Sequence, residues 1–138
     1  MIWIHLVVSA TLFCFTDIRH HKIRRVHLLG AGTLFLPLLS FTNLQHAFIN
    51  YCGFRFLYHL SHGAIGYGDV RLASLIGLYS GSFFNATHYL IFINLISWTI
   101  AGCYVITRLI IDRGALKERI PFAPFMFAGL IFALVLLD

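Results

Sequence analysis

Apolar residues occupy this chain in long runs broken by short polar connections. Six runs stand out: Met1 to Thr16, Val26 to Phe41, His46 to Leu60, Val70 to Asn85, His88 to Ile111, and Ile120 to Leu137. Each is read as a membrane-embedded helix, although several fall short of the roughly 20 residues that span a bilayer core. The fifth, "HYLIFINLISWTIAGCYVITRLII", is the clearest span, whereas the third, "HAFINYCGFRFLYHL", contains Arg55 and leaves open whether it fully crosses. The first run lacks a basic leading region and no small-residue cleavage pattern follows it, so it reads as a membrane helix and not a secretory signal. In the fourth, Ala73, Gly77 and Gly81 recur at a spacing of four, which permits close helix approach. The predicted fold is all-α: a polytopic membrane protein of about six transmembrane helices, forming one integral-membrane domain over residues 1–138.

The polar connections carry a consistent charge pattern. Arg19, Lys22, Arg24 and Arg25 follow the first run, and Arg71 opens the fourth. Arg108, Arg113, Lys117 and Arg119 lie at the end of the fifth run and just beyond it. With six spans these three regions share one side of the membrane, and the opposite connections around "SFTNLQH" and "SGSFFNATH" contain no lysine or arginine. The positive-inside rule makes the basic side cytoplasmic and predicts that both termini face outward. Nine of the ten basic residues then sit at the cytoplasmic face, which accounts for the net charge of +5. No broad basic surface of the kind nucleic acid needs is left over, so no nucleic-acid partner is expected.

Composition narrows the chemistry further. The chain is 59% hydrophobic and 11% charged, against about a quarter charged in ordinary soluble domains. Cys14, Cys52 and Cys103 lie in apolar runs with no CxxC spacing, and the eight histidines form no HxH or HExxH pair, so neither metal nor cofactor is expected. Of the five acids, Asp138 is the last residue. Asp112 and Glu118 share a connection with Arg113, Lys117 and Arg119, where solvated pairing explains them. That leaves Asp17, at the end of the first run, and Asp69, at the start of the fourth, both on the cytoplasmic side.

Two aspartates sharing a site cannot both ionise cheaply, so one keeps a proton near neutral pH. The ionised partner can take a proton from water attacking a peptide carbonyl, while the protonated partner hydrogen-bonds the carbonyl oxygen. Their titration belongs to the pair, and the sequence assigns neither residue the acid role. Gly66 and Gly68 flank Tyr67 immediately before Asp69. Glycine there permits unusual backbone angles and lets a second backbone come close. Arg19 and Arg71, each two residues past an aspartate, either orient substrate, attract acidic lipid, or serve as plain anchors. For each aspartate alone a structural reading stands beside catalysis: Asp69 as a helix N-cap, Asp17 as an ion-pair partner of Arg19 or Lys22.

"GYGDVRLASLIGLYSG" resembles the GxGD signature of the type IV prepilin peptidases, a family of membrane aspartic proteases, through Gly66, Tyr67, Gly68, Asp69 and Arg71. "FTDIRHHKI" is similar to that family's other aspartate segment, with Asp17 at the first catalytic position and Asp69 at the second. "RIPFAPFMFAGLIFAL" resembles the family's segment opening the last helix, through Ile120, Pro121, Phe122, Pro124 and Phe125. Two departures stand out. Ile23 is followed by Arg24 and Arg25 where the family often has a proline and a polar residue, and Ala64, with Gly63 before it, replaces a further family glycine. The chain starts at the first catalytic helix without the cysteine-bearing region of larger members, so the expectation is a minimal form that cleaves without N-methylating. The resemblance implies an aspartic endopeptidase of the bacterial inner membrane, its site facing the cytoplasm. Its partners would be prepilin or pseudopilin precursors and membrane lipid. The competing expectation is a non-catalytic membrane subunit of a pilus or type II secretion assembly.

Overall fold

Helix boundaries follow local chemistry that the apolar runs only partly reveal. The structure is a computed structural model describing residues 1–20, 23, 25–62, 65–111 and 120–137. It contains α1 (Ile2–His20), α2 (Arg25–Phe35), a 3-10 turn (Leu36–Leu38), α3 (Phe41–Leu60), α4 (Tyr67–Phe83), α5 (His88–Ile111) and α6 (Ala123–Leu137). Every regular element among the described residues is helical, and there is no strand among them. α1 continues past Thr16, which puts Asp17 inside its last turn and not beyond it. Pro37 sits within the 3-10 turn that follows α2; proline disfavours helix in the residue before it and supplies no N–H. Ser40 then caps α3, its Oγ accepting from the Asn43 N–H at 3.3 Å. The cap starts α3 at Phe41, so part of the polar connection "SFTNLQH" belongs to the helix and the predicted start at His46 is five residues late.

Two helices, α1 and α5, are long and apolar enough to cross a membrane by themselves. α2 with its turn and α6 are apolar but shorter. α3 spans 20 residues but carries Asn43, His46 and Asn50, all buried. Many large hydrophobic side chains are exposed, among them Val7, Phe15, Leu95, Ile106 and Val135.

α4 is the most enclosed helix. Val70, Leu72, Ala73, Ile76 and Tyr79 are inaccessible to solvent. Its small residues lie against α3, as their spacing predicts: a Cβ on Gly77 would stand 2.6 Å from Ala47 Cα, and one on Gly81 2.6 Å from Asn43 Cα. At the third step of the same stripe, Asn50 Nδ2 donates to the Ala73 carbonyl at 2.8 Å. α5 and α6 form a second close pair, with Gly129 against Ser97 and the Ile93 carbonyl. Side-chain amides tie the helices together, as in membrane bundles where polar groups act as glue. Asn94 Nδ2 donates to Asn50 Oδ1 at 2.7 Å, and Asn43 Nδ2 donates to Ser82 Oγ at 2.8 Å and to the Leu38 carbonyl at 3.0 Å. His5 links α1 and α2 to α4, with Nε2 3.1 Å from the Ala31 carbonyl and Nδ1 2.6 Å from the Tyr79 hydroxyl. A carbonyl only accepts, so Nε2 carries the proton.

The ion pairing expected of Asp112 and Glu118 with Arg113, Lys117 and Arg119 lies outside the described residues, as do Lys22, Arg24 and the Gly63–Ala64 step.

Candidate active site

Asp17 is almost fully enclosed, at 5% exposure. Its Oδ2 accepts the backbone N–H of Ala123, the first residue of α6, at 2.9 Å. The reason lies in the start of α6. A helix leaves its first N–H groups without intrahelical partners, and here Pro124 has none to offer. Phe125 and Met126 donate back to the Phe122 carbonyl at 3.1 and 3.2 Å. The Ala123 N–H is the donor left for Asp17, and the positive end of the α6 dipole favours a carboxylate there. Phe13 stacked on Phe127, at 6.4 Å between ring centroids, packs α1 on α6 one turn away. Arg19 is exposed, its guanidinium 5.8 Å from the Phe15 ring centroid.

Asp69 stands in the first turn of α4, ahead of the apolar run that begins at Val70. The N-cap position belongs to Gly66, so the reading of Asp69 as an N-cap is corrected. The carboxylate instead takes a backbone hydrogen bond from Gly66, the reciprocal half of a capping box. The Asp69 N–H bonds the Gly66 carbonyl at 3.0 Å. Gly66 has φ −66° and ψ 138°, angles open to any residue. What glycine supplies here is therefore room, and not an unusual conformation. A Cβ on Gly66 would lie 3.0 Å from Asp69 Oδ2, and one on Gly68 would lie 3.2 Å from Ile23 Cβ. The first glycine makes space for the carboxylate, the second for the chain that follows Asp17.

Burial, and then the neighbouring Asp17 carboxylate, push the Asp69 carboxyl up from 3.8 to about 7, while the Gly66 hydrogen bond pulls the other way. The two aspartates are thus close enough for one to oppose ionisation of the other. Three stretches remote in sequence meet at this end of the bundle: the Asp17 segment with Ile23, the GYGD turn, and the start of α6.

Tyr67 carries a second cluster beside the turn. The guanidinium of Arg71 lies 4.5 Å from its ring centroid and that of Arg55 5.1 Å away, distances at which a cation is attracted to the ring face. Tyr58 meets the Tyr67 ring edge-on at 5.6 Å, and the Tyr51 hydroxyl is 3.4 Å from the Tyr67 hydroxyl. Arg71 belongs to this cluster and Arg19 does not. Arg55, which sat oddly within an apolar run, stands at the same end of the bundle as the GYGD turn. Sequence reading did not connect Tyr51, Arg55 and Tyr58 to the site. Their spacing of four and three residues places them on one face of α3, and an arginine inside an apolar run was the available signal. Among the described residues no three His, Cys, Asp or Glu side chains group to hold a metal ion.

A sequence model of the type IV leader peptidase family matches residues 4–106, a stretch that holds both aspartates and the GYGD turn and ends before α6. Comparison with curated proteins and with solved structures gives no match.

Proposed function

The chain belongs to the type IV leader peptidase family, and from that premise we propose that it is a membrane-embedded aspartic endopeptidase. In this reading a single integral-membrane domain removes the leader of prepilin-like precursors at the cytoplasmic face of the inner membrane. One observation carries the reading: burial and the charge of Asp17 together hold the Asp69 carboxyl at about 7, so one proton rests on the pair near neutral pH. A family of leader peptidases needs a site that activates water against a peptide bond, and a carboxylate beside a carboxylic acid is such a site.

The geometry suggests how the precursor lies. Gly66 is exposed, so an extended peptide can approach the turn without meeting a side chain there. The scissile bond then comes to Asp69 from one side and Asp17 from the other. The carboxylate of the pair takes a proton from water as the water oxygen bonds to the carbonyl carbon. The acid partner hydrogen-bonds the carbonyl oxygen. Arg55 and Arg71, turned towards the Tyr67 ring, would line the approach and hold the precursor beside the turn. The apolar exterior and the two long apolar helices support a multi-pass placement, with the GYGD end on the cytoplasmic side that the basic residues mark.

A second reading, that of a non-catalytic subunit of a pilus or secretion assembly, gains from the structural work both acids perform. Asp17 accepts from the first turn of α6, and Asp69 bonds back within its own helix start. Co-expression with precursors from the same genome, following leader removal, separates the two. Asp17→Asn and Asp69→Asn keep a side-chain oxygen that can accept the capping bond but cannot cycle a proton. Loss of processing in both, with protein levels unchanged, supports the peptidase. Normal processing in both rejects it.

A further inference from the structure

We infer that the amino terminus of α6 is a third working part of the site: through the Ala123 N–H it holds Asp17 as the carboxylate that deprotonates water, leaving the shared proton on Asp69. The inference rests on the peptidase reading and deepens it by giving each aspartate a separate role, with Ala123 as a positioning residue.

The asymmetry comes from where each acid stands. Asp17 is in the last turn of its own helix, where the α1 dipole disfavours negative charge. A carboxyl at 5% exposure in that position would keep its proton unless something opposed the dipole. The start of α6 does so, with a direct N–H bond at 2.9 Å and the positive end of a second helix. Pro124 keeps the arrangement selective, because its nitrogen carries no hydrogen to compete. Of the titratable groups around the pair, Cys14 lies one turn back on α1. α6 presents apolar residues along with its N–H: Ala123, Met126 and Phe127 are buried there. On α3 and α4 the Arg55 and Arg71 guanidiniums lie over the Tyr67 ring. Asp69 also accepts one N–H, from Gly66 at the start of its own helix, but burial and the Asp17 charge outweigh that bond and push its carboxyl up to about 7, so the proton rests there.

The reaction then balances. Asp17 accepts a proton from water as the C–O bond forms, and Asp69 gives its proton to the carbonyl oxygen, producing a gem-diol. On collapse the C–N bond breaks, Asp17 passes its proton to the leaving nitrogen, and one diol hydroxyl returns a proton to Asp69. Both groups end as they began, and the products are one carboxylic acid and one amine.

The test uses the full chain in nanodiscs with a precursor peptide. A backbone ester at Ala123, lactate in place of alanine, removes the N–H and keeps the side chain. An ester at Phe132 controls for general weakening. The acid limb of the kcat/KM profile should move up by about one pH unit in the Ala123 ester alone, with the alkaline limb unmoved. An unmoved acid limb, or a shifted alkaline limb, overturns the inference. Infrared spectroscopy reads the proton without turnover. At pH 6 the wild type should show a protonated-carboxyl stretch that Asp69→Asn removes and Asp17→Asn retains. The reverse pattern, or no band in the wild type, overturns the inference. Cleavage with the band reversed defeats the inference alone. No cleavage with the band in place defeats the peptidase reading, and the base role of Asp17 with it.

Discussion

Gly77 leaves no space between its own backbone and that of Ala47: a Cβ added to it would stand 2.6 Å from Ala47 Cα and 2.6 Å from the His46 carbonyl oxygen. Backbone atoms cannot swing aside as a side-chain tip can. Gly77→Ala must therefore push α3 and α4 apart, and overpacking of this kind costs about 1–3 kcal/mol. Gly81→Ala meets Asn43 Cα at the same 2.6 Å and should behave alike. Thermal unfolding in detergent should show both variants melting well below wild type. Gly53→Ala, where the added Cβ meets nothing within 4 Å, should not.

Gly66→Ala presents the opposite case. The added Cβ meets the Asp69 Oδ2 tip at 3.0 Å, and the backbone angles suit alanine. The fold should survive while the carboxylate is displaced. The Oδ2 tip has to give by only a few tenths of an ångström. Misplacing a reacting group by about 1 Å costs up to roughly 100-fold, so leader cleavage should fall by about 3- to 10-fold with little change in melting temperature. Measuring both on one preparation checks the claim, and an unchanged rate would show that Asp69 needs no such room.

Asp69 also sets a pH dependence. Its carboxyl is raised from 3.8 to about 7, so the folded chain binds that proton more tightly than the unfolded chain. The stabilisation it contributes is complete below about 3.8 and is lost as pH rises through about 7. At full ionisation the loss is on the order of a few kcal/mol. Wild-type stability should thus fall between pH 5 and pH 8, in denaturant titrations, more than that of Asp69→Asn. Cleavage should fall over the alkaline part of the same range, since the pair must keep one proton.

The three arginines near the aspartates should separate by kinetics. Arg71→Gln and Arg55→Gln remove guanidiniums lying against the Tyr67 ring, so each should raise KM several-fold with kcat less affected. Arg19→Gln removes a charge that is exposed over Phe15 and should leave both constants near wild type. Steady-state cleavage of a precursor peptide decides, and an Arg19 effect equal to the other two would argue for a general charge effect.

Much of the architecture was legible because apolar runs and small-residue spacing are local signals. The stripe of Ala73, Gly77 and Gly81 announced its face before any partner was known. The basic residues marked one end of the bundle, and the structure gathers Tyr67, Arg71 and both aspartates there. What escaped depends on contacts remote along the chain. The five-residue error at the start of α3 arose because Thr42, Asn43 and Gln45 look like a loop, whereas the Ser40 cap makes them helix. Asp17 finds its backbone donor on α6, 106 residues away, and no spacing rule reaches so far. The reason for Gly66 was also hidden. Its sequence context suggests backbone freedom, while its surroundings require volume.

The close packing of α3 on α4, and of α5 on α6, sorts the two acids onto different mountings. Asp69 travels with the first hairpin, whose backbones are in contact. Asp17 is tethered to the second through Ala123. The gap between the carboxyls is consequently governed by how one hairpin sits against the other, with little left to side-chain rotation. On the peptidase reading, a peptide threading between them would act as a wedge, and the grip on its scissile bond would depend on how firmly the two halves press back.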